Sequence, residues 1–162
     1  MFKNAARALT ALGLVAAVWA PSQVGAQEQR VAGKPTPVEG GFTFAAGEVC
    51  PFAVSLEAEG TGATLELPNG TVIYTAPRQT ATVTNLVTGE ELELKISGPT
   101  QVRGTEAVFV GPALVIRSPL FGDDEAALVY VTGRYTFDQT ADPKFSGVGG
   151  LTDICAALAS PA

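Results

Sequence analysis

Histidine is absent from the 162-residue chain, and only two cysteines, Cys50 and Cys155, are present. Without an imidazole, Ser-His-Asp and Cys-His nucleophilic catalysis, histidine metal sites and a histidine proton switch are all closed. Two widely separated cysteines make neither a Cys-x-x-Cys redox pair nor a four-ligand zinc site. The glycine pairs Gly40-Gly41 and Gly149-Gly150 lack the context of a phosphate-binding loop. No catalytic residue, metal ligand or cofactor is therefore assigned. Carboxylates remain as candidates for acid–base work, which needs two of them held together away from bulk water. The run Gly122-Asp123-Asp124-Glu125 lacks the alternating ligands of a calcium loop and reads as a solvated turn, as do Asp138 and Asp142. The polar set of most interest is Tyr130, Thr132 and Arg134, which alternation places on one face of a long strand. Facing an interior, Arg134 would bind an anionic ligand and Tyr130 would orient it, with Asn85 as a third lining group. Facing outward, they are surface residues, which is the expectation here.

The elements that must position these groups are short strands. Over residues 50–58, Cys50, Phe52, Val54, Leu56 and Ala58 alternate with Ser55 and Glu57, so one face is buried and Cys50 points inward. Glu59, Glu66, Glu91 and Glu93 fall on water-facing positions too, which removes the acidic residues of the strands as a buried pair. Asn69-Gly70 predicts a type I′ hairpin with Leu67 opposite Val72 and Leu65 opposite Tyr74. The same residues, with Thr71, spell a glycosylation sequon, for which the turn is already a sufficient explanation. A second hairpin with Thr88-Gly89 as its loop sets Val83 opposite Leu94 and Ala81 opposite Ile96. It also sets Asn85 inward opposite Leu92, where turn chemistry is preferred to a cavity lining. Further strands are expected over 102–110, 113–117, 126–137 and 145–148, with a bend or bulge at Gly133. A short helix after Gly150 carries Cys155, with Thr152 as its N-cap and Asp153 in its first turn. Eight to ten short strands without crossover helices predict a mainly β fold. An antiparallel β-barrel is preferred, with a β-sandwich as the alternative.

The first 26 residues read as a secretory signal peptide. Lys3 and Arg7 precede an uncharged stretch over 8–20, and Val24-Gly25-Ala26 offers small residues for cleavage. That apolar run is short of the roughly 20 residues of a spanning helix. Residues 27–40 read as a flexible leader and 41–162 as a single β domain. Removal of the signal leaves 8 basic against 16 acidic residues, a formal charge of −8 over 136 residues. With its basic residues scattered, the chain lacks the footprint that nucleic acid requires, and no membrane insertion is expected after cleavage. In an oxidising compartment, Cys50 and Cys155 make one structural disulfide the economical reading.

Several short motifs carry a resemblance. Val49-Cys50-Pro51-Phe52, Thr80-Ala81-Thr82-Val83-Thr84-Asn85-Leu86, Val131-Thr132-Gly133-Arg134-Tyr135 and Asp153-Ile154-Cys155-Ala156-Ala157-Leu158 resemble a group of small secreted actinobacterial proteins to which no activity is assigned. The likeness covers most of residues 48–159. It implies export, the cysteine pair and a β-rich fold, and it transfers no catalytic residue. Any likeness to lipocalin or allene oxide cyclase barrels is architectural and carries no function.

The expected function is that of a secreted, non-enzymatic module with a binding or envelope-associated role. Its partner would be a small molecule or an extracellular protein. The alternatives are a cofactor-free barrel enzyme using Tyr130, Arg134 and Asn85, and a secreted enzyme inhibitor.

Overall fold

The computed structural model describes residues 34–159. The expected signal peptide and residues 27–33 of the expected leader lie outside the described residues. In chain order the elements are β1 (Thr36–Phe44), β2 (Val54–Glu66), β3 (Val72–Thr75), β4 (Thr80–Asn85), β5 (Glu91–Lys95), β6 (Thr100–Arg103) and β7 (Glu106–Arg117). A 3-10 turn (Pro119–Phe121), β8 (Ala127–Asp138), β9 (Phe145–Asp153) and α1 (Ile154–Ala159) complete them. β1 takes up Thr36 to Gly40, which the sequence reading gives to the leader. Its pairing with β2, from Thr36↔Gly62 to Phe44↔Val54, provides the backbone partners that Pro and Gly content alone did not suggest.

All pairings are antiparallel, in the spatial order β5-β4-β2-β3-β6-β7-β8-β9. β1 and β4 pair with the same residues of β2, so they flank it on opposite edges. β5 and β9, at the two ends, are not hydrogen-bonded to each other, and the sheet is open. It nevertheless curls over itself. Val54, Leu56 and Ala58 of β2 and Ala81 and Val83 of β4 pack in one core with Leu128 of β8 and with Ile154 and Leu158 of α1.

A second core lies on the opposite face of β7 and β8. It joins Ala113, Val115, Val129 and Val131 to Ala107, Phe109, Tyr135 and Phe137. These two sets come from opposite halves of the same strands. Straight twelve-residue strands would hold their ends roughly 36 Å apart. Instead Arg117, at one end of β7, lies 5.0 Å from the ring centroid of Phe145, and Phe145 pairs with Phe137 at the far end of β8. The β7–β8–β9 unit is therefore folded in half. The fold line is a row of three directly paired glycines, Gly111↔Gly133↔Gly149, with φ of 85°, 147° and 131°. Such angles are open to glycine and strained for other residues. A Cβ on Gly133 would also collide with the Val148 carbonyl. Gly111-Pro112, read from sequence as a break between strands, is the bend inside β7, and the break falls at Gly104-Thr105. Gly149-Gly150 likewise sits within β9 rather than ending it.

Both hairpins differ from their expected register. β2 pairs with β3 as Leu65↔Ile73 and Glu66↔Val72, a slip of one residue. A two-residue loop needs an N–H from the residue before Asn69, and Pro68 has none. Leu67 takes that role, its N–H donating to Thr71 at 2.8 Å and its carbonyl accepting from Gly70 at 3.0 Å. The loop has three residues, with positive φ at Gly70 and not at Asn69. β4 pairs with β5 as Val83↔Leu92 and Ala81↔Leu94, a slip of two. An even slip keeps every side chain on its expected face.

Candidate functional site

Cys50 and Cys155 form a disulfide with Cα atoms 5.4 Å apart. It joins the loop before β2 to α1, and both cysteines are buried. The strand expected to begin at Cys50 begins at Val54, so Cys50 is buried from the loop and not by strand alternation. α1 is set down by three further features. Ile154, Cys155 and Leu158 are buried on one side of it. At its start, Asp153 Oδ1 accepts from the Ala156 N–H at 3.0 Å, so Asp153 is the N-cap and Thr152, the expected one, remains in β9. At its end, the Asn85 amide donates to the Leu158 carbonyl at 3.2 Å.

Beside this junction lies a depression of about 300 Å³. Pro51 and Phe52 line it from the loop before β2, forming one wall, Ala156 and Ala159 line it from α1, and Ala126 and Ala127 line it where β8 begins. Asp153 is the one charged residue on its border, and its carboxylate caps the helix. The Leu86 N–H donates to the Ala53 carbonyl at 2.9 Å, which ties the exposed Leu86 and Val87 to the loop that forms the first wall. The chemistry on offer is burial of an apolar group. Among the described residues no cation, hydroxyl or free thiol borders the depression.

The structure does not gather the sequence-predicted residues here. Asn85 is 2% exposed. Besides holding Leu158, it accepts the N–H groups of Val87 at 2.9 Å and Thr88 at 3.3 Å through Oδ1. Tyr130 packs against the first core and donates its hydroxyl to the Lys95 carbonyl at 3.0 Å. Arg134 and Thr132 are exposed. The fold line at Gly133 accounts for Arg134, which lies beyond it and swings away from the core that Tyr130 joins.

The acidic run is an ion-pair clasp. Asp123, 5% exposed, accepts from Arg117 Nε at 2.7 Å and Nη2 at 3.2 Å. Glu125 contacts Nη1 of the same guanidinium at 2.9 Å, and Asp124 contacts Lys144 Nζ at 2.8 Å. Burial pushes the Asp123 carboxyl up, but the Arg117 guanidinium and the N–H groups of Glu125 and Asp124 outweigh it, and the net shift is downward. Asp123 in turn raises the Arg117 guanidinium. Asp138 is lowered by the N–H and hydroxyl of Thr140. Sequence reading missed Arg117, Lys144 and Phe145 as partners of the acidic run because only the folded hairpin brings them together. Among the described residues there is no cluster of three His, Cys, Asp or Glu able to hold a metal ion. No helix among them is long and apolar enough to cross a membrane. Comparison of the chain with protein-family models, with curated proteins and with solved structures finds no match.

Proposed function

We propose that this chain is a secreted, non-enzymatic binding module that receives an apolar group of an extracellular ligand in the depression between Phe52 and α1. The observation that carries the proposal is the pairing of an apolar, alanine-lined hollow with walls fixed by a disulfide and a capped helix. Fixed walls favour recognition because little conformational freedom is lost on binding. The one carboxylate beside the hollow, Asp153, is engaged in capping α1, and among the described residues no free thiol or hydroxyl lines it, which favours binding over turnover. On this reading the domain works as two packed layers, the sandwich alternative, with its site on a rim rather than inside a barrel. Export is part of the proposal, supported by the pattern of residues 1–26 and by the disulfide.

The test is titration of the purified chain with an uncharged hydrophobic dye such as Nile red. Saturable binding by the native chain, lost in Ala156→Trp with unchanged melting temperature, is the expected result. Equal binding by both proteins overturns the assignment of the site.

A second reading, an inhibitor of an extracellular enzyme, is favoured by one observation. Pro51 is exposed directly after the buried, bridged Cys50, so the loop offered to a partner is braced at its root. Pull-down of an extracellular hydrolase, abolished by Pro51→Gly, is the outcome that would move the assignment to this reading.

A further inference from the structure

Among the described residues three strand edges of the sheet, β1, β5 and β9, have no second neighbour. Two are guarded. β5 carries Glu91, Glu93 and Lys95, and β1 carries Pro37 and Glu39, the charged and proline devices that keep sheet edges from pairing with other chains. β9 has neither. From Phe145 to Thr152 it contains no charge and no proline, and all of its residues after Phe145 are exposed. Val148 and Leu151 are 74% and 51% exposed.

These two side chains sit at positions of opposite parity and so on opposite faces of the strand. A partner lying on one face of the sheet covers only one of them, whereas a strand added along the edge runs beside both. We propose that β9 is a self-association edge, along which a second copy of this chain adds its own β9 antiparallel to the first.

Two observations single out a second copy as the occupant. The first is charge. The chain carries a formal charge of −6, so copies repel over most of their surface, and the neutral stretch over 145–152 brings no like charges opposite each other. The second is shape. β9 is bent out of the sheet plane at Gly149, where φ is 131°, and a straight strand does not follow that bend. A two-fold axis along the sheet normal reverses strand direction while preserving the sense of the bend. The second β9 thus presents the matching curvature, and the interface is isologous.

The neutral part of this edge, residues 145–152, does not line the depression beside α1. The experiment is sedimentation equilibrium of the full chain, purified after export, over a concentration series. Hydrogen exchange of the 145–153 amides is followed in the same samples. A dimer that dissociates on dilution, with exchange in β9 slowing as the dimer forms, is the expected result. Val148→Lys and Leu151→Lys, both at exposed positions, are each expected to halve the mass without lowering the melting temperature. A monomer at every concentration overturns the proposal. So does a dimer whose β9 exchange is unchanged by association, a readout that holds even where a variant fails to fold.

Discussion

At Asn85 one side chain serves two neighbours of different origin. Its oxygen gathers the N–H groups of Val87 and Thr88, and its amide holds the last turn of α1. Capture of those two N–H groups diverts residues 86–89 from the strand ladder, which is why the hairpin closes between Asn85 and Glu90 and not around Thr88-Gly89. The local part of this was readable, since Asn in a turn competes for backbone donors. The distant part was not, because Leu158 is 73 residues away and nothing in the local pattern names it. Asn85→Ala is expected to lower stability by about 1–3 kcal/mol, as for loss of a buried, fully bonded polar group. Urea unfolding measures it, and a change under about 0.5 kcal/mol, the size usual for surface substitutions, contradicts the two-sided role. Pro68 makes the same point about legibility. Asn69-Gly70 announced a turn correctly, yet a missing N–H one residue earlier lengthened the loop.

At the scale of the element, the β7–β8–β9 unit holds its folded shape through contacts between its own ends. Phe145 stacks on Tyr135 with centroids 5.3 Å apart and lies under Arg117, while Lys144 donates to the Gly122 carbonyl at 3.1 Å. Gly133 was recognisable as a bend. That Gly111 and Gly149 lie in the same row was not, since register across three strands depends on turns that sequence reading places only approximately. The clasp has a pH signature. Asp123 has a carboxyl pKa lowered by folding, so its stabilising contribution is fully present above the ordinary carboxylate range and is lost as pH falls through the lower folded-state value. Asp138, also lowered, adds to the same slope from the surface. Stability should therefore be level from neutral pH down to that range and fall below it. Asp123→Asn should be less stable at neutral pH by about 1–3 kcal/mol, since Arg117 loses a charged partner, and should show a shallower acid slope. Denaturant midpoints of both proteins across an acid pH series decide it, and parallel slopes contradict the assignment.

Over the whole molecule, two layers share β7 and β8 as their common wall, one core on each face. β8 is accordingly buried on both faces at Leu128 and Val129, as a strand between two cores requires and an outer strand does not. Cys50 is buried from a loop that alternation read as strand, whereas the mainly β class and the helix bearing Cys155 were legible, because alternation and spacing are local. Closure was not, because whether the ends of a curled sheet pair depends on how sharply it bends. The disulfide closes a 105-residue span, and its removal is expected to cost about 2–5 kcal/mol. Unfolding of the native chain with and without reductant, against the double variant Cys50→Ala with Cys155→Ala, measures this. Reductant should destabilise the native chain and leave the variant unchanged.

The same bond also sets how the molecule would carry tension. If the chain is held at its two ends, as a tether at a cell envelope is, force entering near residue 34 and leaving near residue 159 crosses from Cys50 to Cys155 through a covalent link. Everything between those cysteines is shunted out of the load path. Only β1 and the short segments outside the bridge bear the pull, so the domain would yield a few residues of length by peeling β1 from β2 and then stop, a short extensible stay rather than a chain that unravels.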